Sequence, residues 1–182
     1  EACGRLPLAL ATIGAMVRAD ELDWADARGL LDNADLADLE ARFPDYPYPS
    51  VLAAIEVSVY AMGDRERARY LDLAIFPEDE PIPEVALAVL WSRNRLTGAK
   101  LRRLLGTLVA RSLAARDQAG ALWLHDLQRM YLQQQAGTDL RCRHSQLVDA
   151  YLQRYPTGIG RAKNDGYCFQ WLPWHLAQAG RL

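Results

Sequence analysis

Only one place in these 182 residues carries a strand signal. Leu113-Ala114-Ala115-Arg116 and Ala121-Leu122-Trp123-Leu124 flank a tight turn, Asp117-Gln118-Ala119-Gly120. Two short runs joined by a brief loop containing glycine read as a hairpin. Almost everything else reads as helix, so the core must come mainly from helices packed on helices. The expected fold class is mainly α: a helical bundle, a winged-helix domain with a small β-hairpin, and further helices.

Prolines and glycines punctuate the helical stretches. Pro7 sits where a helix start accepts it, because first-turn N–H groups have no intrahelical partner, and an apolar helix follows. A more polar helix is expected over Asp20 to Arg28 and a third over Leu36 to Phe43. Pro44-Asp45-Tyr46-Pro47-Tyr48-Pro49 cannot continue a helix, and Ser50 is a candidate N-cap for Val51 to Ala61. Gly63-Asp64 marks the first boundary. Beyond it, Arg65 to Ile75, a short helix begun by Pro83, and a third capped by Thr97 precede the hairpin. Three helices followed by a hairpin is the order of a winged-helix module. His125-Asp126 opens another helix, and a block rich in aromatics runs from Thr138 to Leu182. The domains expected are 1–62, 63–137 and 138–182.

The balance of 21 basic against 23 acidic residues leaves a net charge of −2, with no global attraction to nucleic acid or to an anionic membrane. No apolar run reaches the ~18 residues of a membrane span. Cys3, Cys142 and Cys168 form no CxxC pair and read as reduced thiols, which points to a cytoplasmic setting. Only Lys100 and Lys163 are lysine; with heavy Ala and Leu usage this suggests a bacterial genome rich in GC. The chain starts without Met and is expected to have been cut from something longer.

Three segments carry more specific information: Cys3-Gly4-Arg5-Leu6-Pro7-Leu8-Ala9-Leu10, Arg69-Tyr70-Leu71-Asp72-Leu73-Ala74-Ile75-Phe76-Pro77-Glu78-Asp79, and Leu124-His125-Asp126-Leu127 directly after the hairpin. In that order they resemble the NB-ARC class of STAND ATPases, the group of apoptotic-protease activators, plant resistance proteins and bacterial relatives. The first is similar to that family's GLPL motif, the second to the opening of its winged-helix domain, the third to its MHD motif. The tail from Asp165 to Ala177 is similar to the helical domain that follows.

The resemblance implies a regulatory arm of a nucleotide-dependent signalling switch that closes over ADP and controls oligomerisation. Pro7 matches the proline that lies against the adenine, with Leu6 and Leu8 supporting it. His125 matches the histidine that contacts the β-phosphate of ADP, where a ring N–H gains a charge-assisted bond. Asp126 is expected to cap the next helix and orient His125. Arg5 stands where the family has glycine, and Leu124 where it has methionine. The partners implied are the protein's own P-loop domain, a downstream sensor domain, and further copies of itself on activation, with no membrane partner and no nucleic acid. ADP or ATP is expected only together with the P-loop domain.

Taken alone, Pro7 reads as an ordinary helix-start proline and His125 as a histidine at a helix N-terminus. No GxxxxGK[ST] occurs, and Gly158-Ile159-Gly160-Arg161-Ala162-Lys163 has the wrong spacing and no hydroxyl after the lysine. No catalytic residue is therefore assigned, and the segment by itself is expected not to be an enzyme. His125, His144 and His175 lack metal-ligand spacing. The alternative function is a winged-helix DNA-binding transcriptional regulator, with Lys100, Arg102, Arg103, Arg111 and Arg116 on or near the third helix and the wing.

Overall fold

A computed structural model describes residues 6–181. The first four helices are α1 (Pro7–Asp20), α2 (Trp24–Asp32), α3 (Leu36–Arg42) and α4 (Pro49–Tyr60). Pro7 occupies the first helical position of α1 behind Leu6 as N-cap. The second helix starts later than expected. Glu21 takes a left-handed conformation at φ 54°, and the Asp23 carboxylate accepts the Asp26 N–H at 2.7 Å, so Asp23 is the cap and the helix begins at Trp24 rather than at Asp20. Asp35 caps α3 in the same way, accepting from Asp38 at 2.9 Å. Ser50 is not the cap of α4; Pro49 takes the first helical position instead, where its missing N–H costs nothing. Val51, Leu52, Ala53, Ala54, Ile55 and Val59 are all buried, which makes α4 the centre of the first bundle.

The winged-helix-like unit consists of α5 (Asp64–Leu71), a 3-10 turn over Asp72–Ile75, α6 (Glu84–Leu90), α7 (Ala99–Ala110), and strands β1 (Ala115–Arg116) and β2 (Leu122–Trp123). The strands are antiparallel, with Ala115 opposite Trp123 and Arg116 opposite Leu122. Asp117 closes the turn: its carboxylate accepts the Ala121 N–H at 2.8 Å. A third pairing went unread in the sequence, because Ile82 and Leu122 exchange backbone bonds of 2.8 and 2.9 Å. Thr97 does not cap α7; Gly98, at φ 56°, is the N-cap and supplies no side-chain bond. After α7 the backbone turns at Ser112, φ 53°. Then come α8 (Asp126–Ala136), α9 (Leu140–Arg154) and α10 (Cys168–Gln178). The architecture is mainly α with one small hairpin, as the sequence implies.

Packing runs without a break across residues 62/63 and 137/138. Phe43, just past the end of α3, stacks on Tyr131 of α8 with ring centroids 6.3 Å apart. Phe76 meets Tyr167 at 5.5 Å, and Arg129 donates to the Phe76 carbonyl at 2.5 Å. Buried Asp72 ties three elements together: it accepts from Trp91 Nε1 at 2.8 Å and pairs with Arg69 at 3.0 Å and Arg143 at 2.5 Å. Burial raises its carboxyl pKa against the opposing pull of those three donors. Among the described residues no helix is long and apolar enough to cross a membrane.

Candidate functional site

The start of α1 and the start of α8 border one groove of about 300 Å³. Leu8 forms its α1 wall, Ser112, Ala114 and Ala115 the approach to the wing, Trp123 the β2 wall, and His125 and Gln128 the α8 wall. Leu8 and His125, far apart in sequence, thus share one surface. Pro7 is exposed in the turn that carries Leu8 but does not itself line the groove, and Leu6 is half-buried as the α1 N-cap. Glu1 to Arg5, with the rest of the GLPL-like motif and Cys3, lie outside the described residues.

His125 is held by a reciprocal box at the N-terminus of α8. Its Nδ1 accepts the Leu127 N–H at 3.2 Å, while its own backbone N–H donates to Gln128 Oε1 at 3.1 Å. Gln128, only 2% exposed, also donates from Nε2 to the Ser112 carbonyl at 2.7 Å. With Nδ1 used as an acceptor, the proton of the neutral ring sits on Nε2. The imidazole is exposed at the groove, and among the described residues that N–H has no hydrogen-bond partner. Asp126 does not have the expected role: it occupies the first helical position of α8, and the cap is His125 itself.

Of the groove residues not assigned from the sequence, Trp123 and Gln128 nevertheless leave a signal in it. Period-two alternation along β2 puts Trp123 and His125 on the same outward face, with Leu122 and Leu124 buried between. Gln128, three residues after His125, has the spacing of a capping-box partner. Neither signal points to a ligand until Leu8 closes the opposite wall.

One of the five basic residues of the DNA-binding alternative is not available to a ligand. Lys100, Arg102, Arg103 and Arg116 are exposed, but Arg111 is buried and clasps the carboxylate of Asp20. The glycine run near Lys163 forms only a 3-10 turn, Ile159–Arg161. His144 and His175 are buried in contact: their Nδ1 atoms lie 2.8 Å apart, and the Tyr167 hydroxyl sits 2.6 Å from His175 Nε2. Burial depresses the His144 pKa to about 4; burial and then the neighbouring His144 take His175 to about 3. Among the described residues no three His, Cys, Asp or Glu side chains gather to hold a metal.

No protein-family model matches the chain. Over 184 residues, 98% of its length, it is 28% identical to rat apoptotic protease-activating factor 1 (Rattus norvegicus). The zebrafish protein of that name (Danio rerio) is 26% identical over 183 residues, and the human one (Homo sapiens) also 26% over 183. The chain spans about one seventh (14%) of the length of these relatives. Its order of helices, hairpin and helix-capping histidine, together with this similarity along nearly its whole length, supports an Apaf-1-like fragment of the NB-ARC/STAND kind.

Proposed function

We propose that this segment is the regulatory arm of a STAND-type switch, which closes over ADP held by a P-loop domain and controls oligomerisation. The observation that carries the reading is the shared groove: Leu8, beside Pro7, and His125, with an Nε2–H free to donate, face the same opening. A donor fixed by its helix cap can recognise a diphosphate without reorganising, which favours the bound state enthalpically and avoids an entropic cost. Trp123 gives the groove an aromatic wall suited to a flat, partly apolar ligand.

For such a contact to work as a switch, His125 must interact differently with the two nucleotide states; equal affinity for both would shift no population. In the closed state the β-phosphate satisfies the Nε2–H. Loss of ADP removes that bond, releases the winged-helix-like unit, and frees surfaces for association with further copies. The P-loop domain supplies the phosphate cradle and the magnesium site, and the segment alone binds nucleotide weakly at most. The test is nucleotide retention in the intact protein: His125→Ala should release ADP faster and raise basal signalling. Unchanged retention would overturn the assignment. Isothermal titration of the segment with ADP is a second check, since micromolar affinity would contradict a merely regulatory arm.

A further inference from the structure

At the end of α7 farthest from this groove, α5 and α7 border a second, open concavity of about 170 Å³. Arg65 and Arg69 enter it from α5 and Lys100 and Arg103 from α7, over a floor of Leu96 and Leu104. It adjoins a larger hollow of about 480 Å³ that shares Arg65, Arg69 and Leu96 and adds the Asn94 amide. The 12 residues of α7 separate the two ends of the helix, a span of ~18 Å. This is a different site from the one at His125.

The charges here are not balanced internally. Arg69 is spent on Asp72 at 3.0 Å and on Asn94 at 2.9 Å. Nearby Asp64 pairs with Arg67, and Glu84 reaches Arg102. Among the described residues, Arg65, Lys100 and Arg103 have no ion-pair partner, and Glu66 is the one acid of the lining left to set against them. Like charges gathered from two helices repel, in a chain whose overall charge is negative. A multivalent anion in the concavity would remove that repulsion.

We propose that the concavity between α5 and α7 is a binding site for a small phosphate-bearing ligand. Two guanidinium forks and an ammonium suit the three terminal oxygens of a phosphate better than a single carboxylate. The apolar floor and the adjoining hollow leave room for the body that carries it. A nucleic-acid backbone fits less well, because a continuous line of phosphates across α5 would meet Asp64 and Glu66.

The probe is inorganic pyrophosphate, titrated into the full 182-residue chain while amide resonances are followed. Saturable shifts should appear on α5 and on the first turns of α7. Sodium chloride at matched ionic strength should not reproduce them. Lys100→Gln combined with Arg103→Gln should weaken binding at least tenfold, and Arg116→Gln on the wing should leave it unchanged. If the double variant does not fold, Arg65→Gln on the opposite helix gives the same test with one charge removed. Absence of saturable shifts, or shifts indifferent to Arg65, Lys100 and Arg103, would overturn the site. Displacement of pyrophosphate by ADP would mark a nucleotide source, and displacement by a phosphoserine peptide a modified protein; either supports the site.

Discussion

The Arg111 guanidinium grips the Asp20 carboxylate through both terminal nitrogens, one bond measuring 2.9 Å. The contact joins the C-terminal end of α1 to the C-terminal end of α7, and so fixes the segment carrying Leu8 against the unit carrying His125. Arg111 is 7% exposed, so removing its partner strands a charge away from water. Asp20→Ala should therefore destabilise the chain by about 2–4 kcal/mol in urea unfolding. Replacing both residues, Asp20→Leu with Arg111→Met, should cost clearly less, because no charge is then left unpaired. An equal cost for both variants would mean the pair adds nothing beyond its packing.

Acid should loosen the packing of α10 before it unfolds the rest. His144 and His175 have folded pKa values of about 4 and about 3, below the ordinary 6.5. A depressed folded value means the unfolded chain binds protons more readily. The stabilisation is thus complete above pH ~6.5 and is lost as pH falls toward those values. Between pH 7 and pH 5 the two sites together should remove roughly 3–4 kcal/mol. The groups facing them do not reverse this: Tyr167 is neutral there, its pKa raised by burial, and Asp165 is turned to Tyr151 and to the Tyr167 and Cys168 N–H groups. Asp72, with its raised folded pKa, contributes in the opposite sense, lending stability as the pH drops. Unfolding of His144→Leu across this range should show a shallower slope than the native sequence.

Ser112 adopts a left-handed conformation, φ 53°, just past α7, where a side chain crowds its own carbonyl and glycine does not. Ser112→Gly should stabilise the chain by about 0.5–1 kcal/mol and raise its melting temperature. Its carbonyl would still accept from Gln128. Ser112→Ala should have no such effect, since alanine keeps the Cβ.

The two duties of His125 can be separated. Asparagine is a strong N-cap, so His125→Asn should keep the stability of the isolated chain within ~0.5 kcal/mol of native. In the intact protein the same change removes the imidazole Nε2–H, and ADP retention should fall by about tenfold or more, the worth of a bond to a charged group. Stability is read by thermal melting and retention by nucleotide release. Native retention with native stability would restrict His125 to capping.

What could be read in the sequence was local, and what could not was mostly long-range. The hairpin, the proline start of α1 and most of the helices follow from turn residues and apolar spacing within a few positions. Helix starts were less legible because neighbouring residues compete for each one: Asp20 with Asp23, Ser50 with Pro49, His125 with Asp126. The winner depended on backbone geometry outside the helix. Asp72 with Trp91 and Arg143, and His144 with His175, are brought together only by packing between separate helices. The groove is an intermediate case. Pro7 and His125 stood out by motif, while Trp123 and Gln128 gained meaning once Leu8 was seen across from them.

Ile82 meets β2 as a single residue held between Pro81 and Pro83. Because Ile82 turns its own N–H and C=O to Leu122, its two neighbours face the outer edge; neither proline has an N–H to offer there, so that edge presents no ladder that a stray chain could join. Under the proposed switch, a unit that swings free and meets further copies needs the patch of sheet seen among the described residues to be sterile. In that proposal, the two rings would let the wing be uncovered without seeding fibrils.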